Sequence, residues 1–254
     1  MSNLDGKRAL VLGIANEKSI AWGIARHLHM AGARLAVTYL NAKAEPHVRP
    51  LAESIDAELI LPLEVGCDAQ AETLAATLQQ AWGGVDILVH SIAFAPLEDL
   101  HGRVVDCSAA GFGQAMDISV HSFIRLVRLV EPLMQQGGTC LAMSYYGAEK
   151  VVSTYNMMGP VKAALEATVR ELATELGAQN ISVNALSPGP IVTRAAGGID
   201  DFDHLLADAA SRSPMRRLAT IEEVGAVAAF LCTDLARTIT GSVLHVDGGC
   251  HILA

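Results

Sequence analysis

The stretch Arg8-Ala-Leu-Val-Leu-Gly-Ile-Ala-Asn-Glu-Lys-Ser-Ile-Ala-Trp-Gly23 decides the reading of this chain. A continuous apolar run, Arg8 to Ile14, reads as a strand buried on both faces, because it does not alternate. A glycine turn follows, and Ser19 opens an amphipathic segment to Ala31 that reads as a helix. A helix that starts directly after a strand presents free backbone N–H groups and the positive end of its dipole, a setting that holds a pyrophosphate. The spacing, Gly13-x5-Ser19-x3-Gly23, differs from the usual Gly-x-Gly-x-x-Gly and places a hydroxyl where that motif has a glycine. A tight turn with a Ser cap is the plainer reading of the same residues, and the surrounding strand and helix order favours the dinucleotide site.

That order runs the length of the chain. Further strands are predicted at Arg34 to Tyr39, Glu58 to Leu61, Val85 to Ser91, Thr139 to Ser144, Ile181 to Leu186 and Ser242 to Val246. Ala-rich helical stretches lie between them: Glu72 to Trp82, Tyr155 to Leu176 and Ile221 to Leu231. Repeated strand, helix, strand crossovers predict an α/β fold, a Rossmann-type doubly wound parallel sheet of about seven strands. No repeat, linker or charge block divides the chain, so residues 1 to 254 read as a single catalytic domain. The least periodic stretch, Pro188 to Pro214, holds a short helix candidate at Phe202 to Ala210 and reads as a mobile flap over substrate, about residues 190 to 214.

Composition removes other classes. The 254 residues are 51% hydrophobic and 18% charged, which excludes a disordered chain, and the net charge of −9 disfavours nucleic acid and anionic membrane surfaces. No leader and no run of about 18 apolar residues predicts a cytoplasmic protein without membrane insertion. Five cysteines make no Cys-x-x-Cys pair, and nine histidines show no ligand spacing, so neither a disulfide framework nor a metal site is expected.

Two features bear on the chemistry. The second strand ends Thr38-Tyr39-Leu40-Asn41, with no acid for a ribose hydroxyl and no adjacent arginine for a 2′-phosphate; Lys43 and Arg49 lie further on. NADH is therefore expected over NADPH. Tyr155 and Lys162 are seven residues apart in the predicted helix, only about 20° off one face, so both can point into one cleft. A phenol can donate a hydrogen bond to an oxygen gaining charge as hydride arrives, while an ammonium can hold ribose hydroxyls and favour the acidity of the phenol. Tyr145 and Tyr146 follow the fifth strand, and adjacent side chains on extended backbone diverge, so one of the two should enter the cleft.

With these residues in view, the chain resembles the enoyl-[acyl-carrier-protein] reductases, a divergent branch of the short-chain dehydrogenases/reductases. The resemblance is carried by the glycine turn, His90-Ser91-Ile92-x-Phe94-Ala95-Pro96, Asp117-Ile118-Ser119, Ser144-Tyr145, Tyr155-x6-Lys162, Ser187-x-Gly189-Pro190-Ile191-x-Thr193 and His245-Val246-Asp247-Gly248-Gly249. It implies NADH-dependent reduction of the C2=C3 bond of trans-2-enoyl thioesters on acyl-carrier protein, in fatty acid synthesis. A relative acting on another activated C=C or C=O is the alternative.

By the same resemblance, Tyr155 hydrogen-bonds the enolate oxygen, Lys162 binds the nicotinamide ribose and Tyr145 orients the thioester. Cofactor contacts are implied at Gly13, Ser19, Ile20, Leu40, Ile92, Lys162 and the run Ile191, Val192, Thr193, Arg194 and Ala195. The adenine contact falls on Glu64 and Val65, or on Cys67 and Asp68 if a gap intervenes. Ala95 and Phe202 face substrate. Ala93 stands where many members carry glycine, and its methyl is expected to crowd diaryl-ether inhibitors.

Assembly and docking complete the expectations. The apolar face Val161, Ala164, Leu165, Ala167, Val169 and Leu172 looks too long for one sheet contact, and related enzymes are tetramers, so a homotetramer is expected. Arg194, Arg212, Arg216 and Arg217 form a candidate basic patch for an acidic carrier protein, or else a solvated helix end.

Overall fold

The computed structural model describes residues 3–152, 154–193 and 201–253. Seven strands, β1 (Arg8–Leu12), β2 (Arg34–Tyr39), β3 (Leu59–Pro62), β4 (Ile87–His90), β5 (Gly138–Met143), β6 (Ile181–Pro188) and β7 (Val243–Val246), form one sheet in the order β3-β2-β1-β4-β5-β6-β7. Every pairing is parallel. The order reverses between β1 and β4, and such a switch point leaves a crevice at the carboxyl ends of the strands.

The unbroken apolar strands have the expected cause. In β1, Leu10 and Leu12 enter the core on one face of the sheet while Ala9 and Val11 enter the other. In β5, Cys140 and Ala142 face one side and Leu141 and Met143 the opposite one. Each residue of such a strand has a helix layer to meet, so none needs to be polar. One layer holds α3 (Asp68–Trp82), α6 (Ser122–Val130) and α7 (Met158–Leu176); the other holds α1 (Ile20–Met30), α2 (Glu45–Glu53) and α9 (Ile221–Leu231). The short α4 (Leu97–Leu100), α5 (Ala109–Met116) and α8 (Phe202–Arg212) lie nearer the carboxyl ends. The two layers make this a single α/β domain.

Gly23 has a different task from the one its place in the motif suggested. A Cβ there would lie 2.2 Å from the Ile221 carbonyl oxygen, and one at Gly225 would lie 2.4 Å from the Gly23 oxygen. The two glycines let α1 and α9 pack backbone to backbone, and Gly23 takes no part in lining the cleft.

Two expectations about helices change, and one turn comes without a sequence signal. α7 begins at Met158, and Tyr155 sits in the turn before it. Thr154 and Asn156 have φ of 69° and 46°, left-handed values that a right-handed helix cannot contain. The seven-residue helical phase therefore does not explain how Tyr155 and Lys162 come together. The apolar face of α7 is also used within the chain: Val161, Leu165, Val169 and Leu172 are buried in the core, whereas Ala167 is exposed. Finally, α5 and α6 are joined by one π-helical turn, Asp117–His121, that composition and periodicity did not signal. Such turns concentrate at functional sites.

Candidate active site

The crevice at the switch point opens into a cleft of about 420 Å³ lined by residues from the ends of β1, β4, β5 and β6, with α7 behind and α8 in front. Gly13 forms its floor. Its φ is 102°, and a Cβ would sit 2.0 Å from the Ser91 carbonyl oxygen, so β1 and β4 end in direct backbone contact that only glycine permits. Ser19 precedes α1 without capping it. Its Oγ instead accepts the N–H groups of Ala15 and Asn16 at 3.0 and 3.1 Å, holding the turn closed beneath the helix. The first amides of α1, Ile20 and Ala21, have no partner inside the helix. A side-chain-free floor, a braced turn and a helix start at Ile20 that borders the cleft fit the pyrophosphate of a dinucleotide.

The opposite wall carries the phenols. Tyr145, just past β5, and Tyr155 stand with ring centroids 4.7 Å apart at 63°. Gly147 makes this possible, since a Cβ there would lie 2.5 Å from Tyr155 Cδ1. Gly159 in turn lets the first turn of α7 approach the Gly147 carbonyl. Tyr145 borders the cleft and Tyr146 does not, so the two diverge as neighbouring side chains should.

Lys162 is buried, yet its ammonium reaches the cleft, where Nζ donates to the Met143 carbonyl at 2.7 Å. Burial pushes its pKa down to about 8, with the Glu166 carboxylate opposing that fall. Burial and the neighbouring Tyr145 push Tyr155 far up, and burial takes Tyr145 up to about 12. Both phenols are protonated donors at neutral pH. Here the structure departs from expectation: Lys162 turns to a carbonyl and does not make Tyr155 more acidic.

The β4 end is fixed by the π turn. Ser119 Oγ accepts the Phe94 N–H at 3.0 Å and donates to the Phe94 carbonyl at 3.2 Å, locking the loop that carries Ile92 to Ala95. Beneath it, buried His90 Nε2 meets Ser122 Oγ at 2.7 Å, and Ser122 Oγ donates to the Ile118 carbonyl at 2.6 Å.

Gly13, Ser19, Ile20, Ile92, Ala93, Ala95, Tyr145, Tyr155, Lys162, Ile191, Thr193 and Phe202 all border this one cleft. Leu40, Glu64, Val65 and Val192 do not. Leu40 is exposed beyond β2; Glu64 is exposed and Val65 buried beyond β3. That loop is tied down, with Arg125 Nη1 donating to the Val65 carbonyl at 2.6 Å and the Glu64 N–H to Gln70 Oε1 at 2.7 Å. Arg194 and Ala195 lie outside the described residues. Arg49 pairs with Glu45. The apolar wall of Phe94, Leu97, Leu100, Met158 and Leu205 was not anticipated. Its members come from α4, α7, α8 and the β4 loop, and α4 is too short to show a periodic signal.

Comparison with known proteins agrees with this geometry. The family described as enoyl-(acyl carrier protein) reductase matches residues 13–251. The chain is 48% identical over 254 residues to the NADH enoyl-[acyl-carrier-protein] reductase of Aquifex aeolicus, covering 100% of this chain and 94% of that one. Among solved structures, the enoyl-acyl-carrier-protein reductase of Bacillus cereus, with NADP+ and an indole naphthyridinone, superimposes with a TM-score of 0.97 at 46% identity and full coverage of both chains. The Anaplasma phagocytophilum reductase in complex with NAD gives 0.95 at 45% identity, over 99% of this chain and 96% of that one. The chain therefore belongs to the enoyl-[acyl-carrier-protein] reductase family.

Proposed function

We propose that this enzyme reduces the C2=C3 bond of trans-2-enoyl thioesters on acyl-carrier protein, using NADH, as a step of fatty acid synthesis. The observation that carries the reading is one cleft holding a pyrophosphate turn at Gly13, a protonated phenol at Tyr155 and a buried ammonium at Lys162.

Bound NADH supplies hydride to C3. Gly13, Ser19 and Ile20 hold its pyrophosphate, Lys162 its ribose hydroxyls, and Ile92 with Ile191 to Ala195 its nicotinamide side. Leu40, Glu64 and Val65 take the adenosine end, since β2 and β3 lie beyond β1 in the sheet. The Tyr155 phenol donates to the thioester oxygen as negative charge collects there, and the carbon at C2 then takes a proton. Tyr145 orients the thioester. Ala95 and Phe202, with the apolar wall, exclude water around the acyl chain.

Residues 190 to 214 act as the flap: Ile191, Thr193, Phe202 and Leu205 reach the cleft from that segment. A homotetramer is supported by the open β7 edge, where Val243, Leu244 and Val246 are only half-buried; an uncovered edge invites a second copy. A cytoplasmic enzyme is supported by five unpaired cysteines and by the absence, among the described residues, of any helix long and apolar enough to cross a membrane. For the carrier protein, Arg212 pairs with Asp208 and Arg217 with Glu223, which leaves Arg216 as the docking cation without a carboxylate partner among the described residues.

The test follows loss of reduced-nicotinamide absorbance with a 2-enoyl thioester, using NADH and NADPH in parallel, in wild type and Tyr155→Phe. Turnover with NADH that collapses in the variant is the expected result. Cofactor binding without turnover of any enoyl thioester refutes the reading.

A further inference from the structure

Three consecutive residues at the carboxyl end of β5, Met143 to Tyr145, each grip a different part of the site. The Met143 carbonyl accepts Lys162 Nζ at 2.7 Å, the Ser144 hydroxyl donates to Glu166 Oε1 at 2.5 Å, and the Tyr145 ring meets Tyr155. Glu166 follows Lys162 by four residues on α7, one turn along the same face, and is only 7% exposed. It does not border the cleft, so it cannot touch substrate. A carboxylate at that depth is unfavourable without partners. Ser144 supplies one; the other charged groups acting on it are Glu149 after β5, His245 on β7 and Arg170 on α7.

We propose that Glu166, held by Ser144, is a positioning residue for the reduction, supplying the counter-charge that lets the buried Lys162 ammonium stand in the cleft and face the cofactor ribose. The ribose assignment rests on the reductase reading above. Burial works against the Lys162 charge and Glu166 acts in its favour, while burial and Glu149 raise the Glu166 carboxyl and the Ser144 hydrogen bond lowers it. Glu166 therefore works through Lys162 and needs Ser144 to remain ionised.

Glu166→Gln keeps the shape and an acceptor for Ser144 while removing the charge. The chain has five lysines, so ¹³C NMR of side-chain-labelled lysine in the apoprotein, with Lys162 assigned through Lys162→Arg, reads the ammonium directly. Lys162 is expected to lose its proton about one pH unit lower in the variant. The alkaline fall in NADH affinity should shift with it, raising KM for NADH about fivefold at pH 8 and towards about tenfold above it, with kcat at saturating NADH little changed. An unmoved Lys162 titration overturns the proposal, even if the variant is less stable. Should Glu166→Gln not fold, Ser144→Ala is expected to move the acid limb of the Lys162 profile to higher pH and Ser144→Thr to restore it; an alanine variant with the wild-type profile overturns the proposal equally. A wild type that binds no NADH would refute the reductase reading, and the lysine titration would still decide the role of Glu166.

Discussion

The rings of Tyr145 and Tyr155 meet edge to face in the cleft wall, centroids 4.7 Å apart with 63° between their planes. The contact places both phenols by packing, since no side-chain hydrogen bond holds either ring among the described residues. Tyr155→Phe keeps that packing and deletes only the donor. We expect kcat to fall by roughly 10²- to 10³-fold with NADH affinity unchanged, as for loss of one oxyanion donor. Steady-state kinetics beside a fluorescence titration of NADH checks it, and a parallel loss of affinity would contradict a role confined to the oxyanion.

Gly147→Ala tests how tightly the pair is confined. The new methyl would overlap Tyr155 Cδ1 at 2.5 Å and crowd Tyr145 Cδ1 at 3.3 Å. A ring displaced by about 1 Å can lose on the order of 10²-fold in rate. The expected result is a fall in kcat with NADH affinity retained, because the glycine turn lies on the other side of the cleft.

Activity and stability should part company at alkaline pH. In the native state Lys162 loses its proton near 8, against an ordinary value of 10.5. Between these values the unfolded chain binds more protons than the native one, so the contribution of this group to stability rises with pH. With Lys162 holding the ribose as proposed above, NADH affinity should fall through the same window. Lys162→Ala is expected to bind NADH weakly at every pH and to lose both trends; unaltered cofactor affinity in that variant would remove Lys162 from the cofactor site.

At the acid end the sensitive group is His90. Burial, with the nearby Lys162 charge, pushes its pKa down to about 3 from 6.5. The native ring stays neutral while the unfolded one takes a proton, so stability is lost as pH falls below 6.5, at up to about 1.4 kcal/mol per pH unit. His90→Leu should flatten that part of a thermal-unfolding profile. An unchanged slope would mean that other groups set the acid limit.

Ala93 borders the cleft and is exposed to it. Ala93→Gly should bind diaryl-ether inhibitors more tightly than wild type while enoyl turnover is retained. Equal affinities would show that the methyl does not crowd them.

The sequence by itself determined the architecture and most of the site's membership. All seven strands lie where apolar runs predicted them; the five inner ones are covered on both faces and so have a compositional signature that a half-exposed strand lacks, while the edge strands β3 and β7 are only partly covered. Gly13, Ser19, Tyr155 and Lys162 were legible for a similar reason: a turn after the first strand and a phenol with an ammonium are local arrangements of particular residue types. How they meet was decided only in three dimensions. Tyr155 reaches the cleft from a turn with two left-handed residues around it, and the phase of a helix that does not include it could not have placed it. Gly23 sits inside the glycine motif after β1 and serves the contact of α1 with α9, 198 residues later in the chain, which no local pattern encodes. The apolar wall is assembled from elements far apart in sequence, and the grip of Ser144 on Glu166 spans 22 positions. Contacts of that range depend on how the parallel crossovers bring strand ends together, and they leave no periodicity to read.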